Sequence, residues 1–191
     1  MGHSLSWFAV SGQDAAALLD ELQLVRTGQT TDHPGRGIHC ATLPDGAFML
    51  HIDDVDSRLT AAPFLKTLSA KGQVILCRAE EHVMFSTVAC YRRGELAWSV
   101  EHDAQQDICH LAIVGDAPPE AAAMRAAALA EHDQGPCGDA DTDYMFDVPI
   151  RLAEMMTSFS HDAGLRVPRA DAFELLHALQ PLPRRPWWKL W

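Results

Sequence analysis

Positive charge is scarce in this chain. Its 191 residues carry 15 lysines and arginines against 26 aspartates and glutamates, a formal net charge of -11 at pH 7. Such a surface does not suit phosphate backbones or anionic lipid headgroups, so neither nucleic acid nor a membrane surface is an expected partner. A basic protein is the partner class it attracts. Also missing is any apolar run of the roughly 18 residues a membrane helix needs. The opening MGHSLSWFAVSG has no basic segment followed by an apolar stretch, so no secretory leader is expected and the cytoplasm is the expected compartment.

Cysteine is present but not patterned. Cys40, Cys77, Cys90, Cys109 and Cys137 are odd in number and form no C-x-x-C, which fits reduced thiols better than a disulfide framework. Signature motifs are absent too. GQTTDHPGRG lacks the Lys-Ser/Thr ending of a phosphate loop, and there is no G-x-S-x-G, H-E-x-x-H or kinase set. On these grounds no cofactor or metal is expected.

What is there reads as an α+β chain. Ser4 to Val10 is strand-like, and Asp14 to Leu24 carries Ala16, Leu19 and Leu22 on one helical face. RTGQTTDHPGRG reads as a loop. Ile38 to Asp53 reads as a hairpin about the turn signal PDG. A short helix follows, with Pro63 in its first turn and Gly72 just past its end. Gln73 to Ala79 is an apolar strand, HLAIVGD another, PPEAAAMRAAALAEHDQ a helix, and a last helix begins near Val148. The beginning is thus the β-α-β-β-α-β order of a ferredoxin-like unit, extended by a β-hairpin and C-terminal helices. A largely antiparallel sheet with helices on one face is expected. Residues 1–163 form one domain on this reading.

The hairpin, EEHVMFSTVACYRRGELAWSVEHD, holds two acid-histidine pairs, Glu81-His82 and Glu101-His102. A two-residue turn at Arg93-Gly94 sets Tyr91 opposite Leu96, Ala89 opposite Trp98 and Phe85 opposite His102. His82, Ser86, Glu101 and Asp103 then share the polar face. Ser86 would lie about 13 Å from His82 along one strand, too far for direct proton transfer. His82 with Glu101 or Asp103 could supply two metal ligands, with His51 or His161 as a third, although no ligand spacing supports it. SFSHDAG is expected to be a helix cap that leaves His161 on the dipole. The acidic run GDADTD is expected to be a solvated loop.

From Gly164 the composition changes. Residues 164–191 are rich in Pro, Arg and Trp, and AFELLHAL within them reads as one short helix. Arg184, Arg185, Trp187, Trp188 and Trp191 are of the types that anchor interfaces. They either dock on the body, contact a partner or close a homodimer.

The stretches SLSWFAV, EEHVMFST, G-x-L-x-W-S-V-x-H-D from Gly94 to Asp103, DYMFDVPIRLA and SFSHD resemble landmarks of a family of small uncharacterised bacterial proteins. The resemblance implies a bacterial cytoplasmic protein and brings no catalytic residue with it. By analogy, such families lie among immunity proteins of contact-dependent toxin systems. The function expected is therefore a non-enzymatic protein-binding domain, an immunity or antitoxin-like protein that neutralises a basic partner. The alternative is a small hydrolase or metal-dependent enzyme built on His82, Glu101, Asp103 and His161.

Overall fold

The computed structural model describes residues 2–134, 142–166, 170 and 172–179. In chain order the elements are β1 (Ser4–Ser11), α1 (Ala15–Leu22), β2 (Leu24–Thr31), β3 (Ile38–Thr42), β4 (Phe48–Ile52), a 3-10 turn at Arg58–Thr60, α2 (Ala62–Ser69) and β5 (Gln73–Glu80). Then come β6 (Phe85–Arg92), β7 (Glu95–Asp103), β8 (Ala112–Gly115), α3 (Pro119–Gln134), α4 (Asp147–Thr157), β9 (Phe159–Ser160), β10 (Gly164–Leu165) and β11 (Phe173–Ala178). Nine strands form one sheet in the order β2-β11-β3-β4-β1-β5-β6-β7-β8, and β9 and β10 form a separate small hairpin. Every strand pair is antiparallel.

The α+β class and the antiparallel sheet are as the sequence leads one to expect. Local signals account for several boundaries. Asp14 caps α1, its carboxylate accepting from the Ala17 N–H at 3.0 Å, and Gln23 ends the helix in the left-handed region. Arg93 and Gly94, with φ of 53° and 78°, make the tight turn of the β6–β7 hairpin. Gly72 must be glycine for a different reason: a Cβ there would lie 2.0 Å from the Ser11 carbonyl oxygen.

Two segments differ from expectation. The sequence places a loop from Arg26 and ends the first helix near Leu24, whereas Leu24–Thr31 is the edge strand β2, which makes the opening order β-α-β-β-β-α-β. AFELLHAL was expected to be a helix, and its core is instead β11, lying between β2 and β3. The period of two explains that choice. Phe173 enters one core and Leu176 the other, while Glu174 pairs with Arg26 on β2. β11 falls within residues 164–191, so part of that stretch belongs to the sheet.

Helices cover both faces, not one. Leu18, Leu19 and Leu22 of α1 and Leu65 and Leu68 of α2 pack with Phe8, Leu50 and Leu76. Ala121 and Ala128 of α3 and Leu152 and Ala153 of α4 pack with Trp7, Met49 and Val88 on the other face. This is why β1, at the middle, is buried at every position from Leu5 to Val10.

Candidate functional site

The hairpin does not keep the register that its turn begins. Arg92 faces Glu95 and Tyr91 faces Leu96, but Cys90 then faces Trp98. Ala97 is the extra residue of a β-bulge. Beyond it every β7 side chain changes face relative to the unbulged register. Trp98, Val100 and His102 join Ser86, Val88 and Cys90 under α4, and Ser99, Glu101 and Asp103 turn toward the α2 side. Gly115 on β8 accommodates the bulge, because a Cβ there would lie 2.2 Å from the Ala97 carbonyl oxygen.

His82, Glu101, Asp103 and His161 are therefore dispersed. His82 lies in the turn after β5, largely exposed, with Nδ1 2.6 Å from Glu80 Oε1. Burial raises the Glu80 pKa, but hydrogen bonds from Ser4 and His82 outweigh it and hold the carboxyl below its ordinary range. Asp103 caps the turn after β7, accepting from the Gln105 N–H and from Gln106 Nε2 at 3.0 Å each. Glu101 faces a pocket on the α2 side, and His161 stacks on Trp7 on the opposite face of the sheet. Arg184, Arg185, Trp187, Trp188 and Trp191 lie outside the described residues.

His102 is a fully buried strut. Its Nε2 is 2.8 Å from Asp143 Oδ2 and its Nδ1 is 2.7 Å from the His110 carbonyl oxygen. Asp143 also accepts from the Phe146 N–H at 3.0 Å and so fixes the entry to α4. The acidic run was read as a solvated loop; its last member is instead a buried partner, with a side chain only 5% exposed.

One end of the sheet gathers histidines that the sequence reading did not connect. Strand alternation puts Trp7 of β1, His39 of β3 and His51 of β4 on the α4 side, and His3 and Glu81, just outside β1 and β5, lie beside His161 at the same end. Pairing then sets His39 opposite His51 and His51 opposite Trp7. The β9–β10 hairpin closes over them. Phe159 packs edge-on to Trp7 and His51, and His161 stacks on Trp7 with ring centres 5.8 Å apart. Ser158, not His161, caps α4.

This corner is short of hydrogen bonds. Trp7 Nε1, His39 Nδ1, His51 Nδ1 and both ring nitrogens of His161 are buried with no hydrogen-bond partner among the described residues. Unpaired buried polar atoms are rare and ask for a reason. Burial, then the neighbouring His39, His161 and His3, push the His51 pKa down to about 4. Burial also lowers that of His39. At the open side, donor atoms of His3, Glu81 and Asp162 lie within 4.8 Å of one another.

The α2 side carries a second feature. A pocket of about 350 Å³ lies between the 3-10 turn, the start of α2 and strands β5 to β7. Leu76, Ala89, Tyr91 and Leu96 supply apolar lining, while Asp56 and Glu101 supply carboxylates. Arg78 in its wall donates to the Thr60 carbonyl. Leu96, at the pocket's rim, is 40% exposed, and Val114 on β8, paired with the lining residue Ser99, is 55% exposed.

Comparison with protein-family models, with curated proteins and with solved structures finds no match for this chain. Among the described residues no helix is long and apolar enough to cross a membrane.

Proposed function

We propose that this chain is a non-enzymatic protein-binding domain, of the immunity or antitoxin type, that neutralises a basic partner. The observation that carries the reading is the α2-side pocket, lined by Asp56, Glu101 and the exposed Leu96, with the exposed Val114 paired to its lining residue Ser99. A lysine or arginine from a partner would meet carboxylates inside it, and apolar residues flanking that cation would cover Leu96 and Val114. The net charge of -11 supports the same partner class by steering basic surfaces toward the chain.

The test is retention of a partner from the native host by the full chain and by a Leu96→Asp/Val114→Asp variant. Both positions are exposed, so the variant is expected to fold. A basic protein held by the wild type and lost by the variant supports the reading. A partner held equally by both, or no partner at all, overturns it.

A further inference from the structure

The corner around His161 points to a separate site, independent of the proposed protein contact. His161 has a side chain only 3% exposed, yet neither ring nitrogen has a hydrogen bond among the described residues. Its Nε2 lies near two carboxylates, 3.6 Å from Glu81 Oε1 and 3.4 Å from Asp162 Oδ1. Donor atoms of Glu81 and Asp162 are in turn within 4.8 Å of a ring nitrogen of His3. Three potential ligands, His3, Glu81 and Asp162, therefore share one small space, and His161 borders it through Glu81 and Asp162.

The spacing suits a metal ion better than a set of direct contacts. At 3.4 to 3.6 Å the His161 contacts are too long for good hydrogen bonds. Ligands of a tetrahedral ion with bonds of about 2.0–2.1 Å sit roughly 3.4 Å apart. The supports are also of the kind seen behind metal ligands. The Glu81 N–H donates to the His3 carbonyl at 2.9 Å, and the His3 N–H donates to Glu81 Oε2 at 2.8 Å. That bond orients the carboxylate and leaves Oε1 for the ion. The Trp7 ring lies against the His161 ring and fixes its plane.

We infer that His3, Glu81, His161 and Asp162 bind one divalent first-row transition-metal ion, zinc foremost. Two imidazoles and two carboxylates are a borderline donor set, which suits zinc and its neighbours and is poor for calcium or magnesium. The ion would tie together three segments distant in the chain: the lead-in to β1, the turn after β5 and the β9–β10 hairpin. It would also give His161 a partner where the described residues offer no hydrogen bond.

The test is a titration of the full-length chain, stripped with chelator, by cobalt(II) and by zinc, with calcium as control. The wild type is expected to take up one equivalent of cobalt with a dissociation constant below about 1 µM, with four-coordinate visible absorption and no thiolate charge-transfer band. His3→Ala and Asp162→Asn, both at exposed positions, are each expected to weaken binding at least about tenfold, and His82→Ala is not. No saturable binding below millimolar metal overturns the inference. So does binding that survives both substitutions, or a thiolate band, which would place the ion on a cysteine.

Discussion

Cys90 lies opposite Trp98, one residue out of step with the Arg92–Glu95 pair two positions away. That single offset sends His102 into the core and Glu101 to the pocket. It depends on Ala97 bulging and on Gly115 leaving room for the Ala97 carbonyl. Gly115→Ala is expected to destabilise the fold by about 2 kcal/mol or more, because φ is +72° there and a Cβ would clash with the backbone. Urea denaturation measures this. A midpoint unchanged from wild type would mean that β8 does not approach the bulge as described.

The buried His102–Asp143 pair should matter far more than the exposed ones. Asp143→Ala leaves a buried ring nitrogen of His102 without its hydrogen-bond partner and α4 without its entry bond, and is expected to cost about 3 kcal/mol. Lys66 and Glu95 also pair, at 2.7 Å, but with side chains 43% and 76% exposed. Glu95→Ala is expected to cost under about 1 kcal/mol. Equal losses in the two variants would contradict this ranking.

Acid should weaken the fold through His51. Its pKa in the folded state is about 4, below the ordinary 6.5, so between those values the unfolded chain binds the extra proton. The stability tied to its neutral form is fully present above pH 6.5 and is lost as the pH falls toward 4. The displacement from 6.5 to about 4 corresponds to about 3 kcal/mol. His39, lowered by burial, adds to the loss with the same sign. Unfolding in metal-free buffer should show a steep fall between pH 6.5 and pH 4.5 that is shallower in His51→Gln. The same slope in both proteins would remove His51 as the cause.

Much of this architecture was legible because local chemistry dictated it. Asp14 before an apolar helical face, Arg93-Gly94 between two strands and Pro118-Pro119 before an alanine-rich stretch each have one dominant local solution. The bulge was not legible, since Ala97 carries none of the glycine or proline punctuation that marks irregular backbone. Nor was β2, a polar segment holding Gly28 whose strand conformation depends on pairing with β11, the last strand among the described residues. The His161 corner was hidden for a related reason. Its donors come from residues 3, 81, 161 and 162, and only the pairing of β1 with β5 brings His3 beside Glu81. His161 itself was visible as a candidate, but beside the wrong partners.

The central claim is that the Leu96 and Val114 surface meets a basic protein. The most direct measurement places a photoreactive residue at position 114 and, as control, at position 25, which is exposed on the opposite edge strand. After irradiation in the native host, cross-linked proteins are identified by mass spectrometry. The account expects one basic protein cross-linked from position 114 and not from position 25. The same products from both positions, or none from position 114, would contradict it.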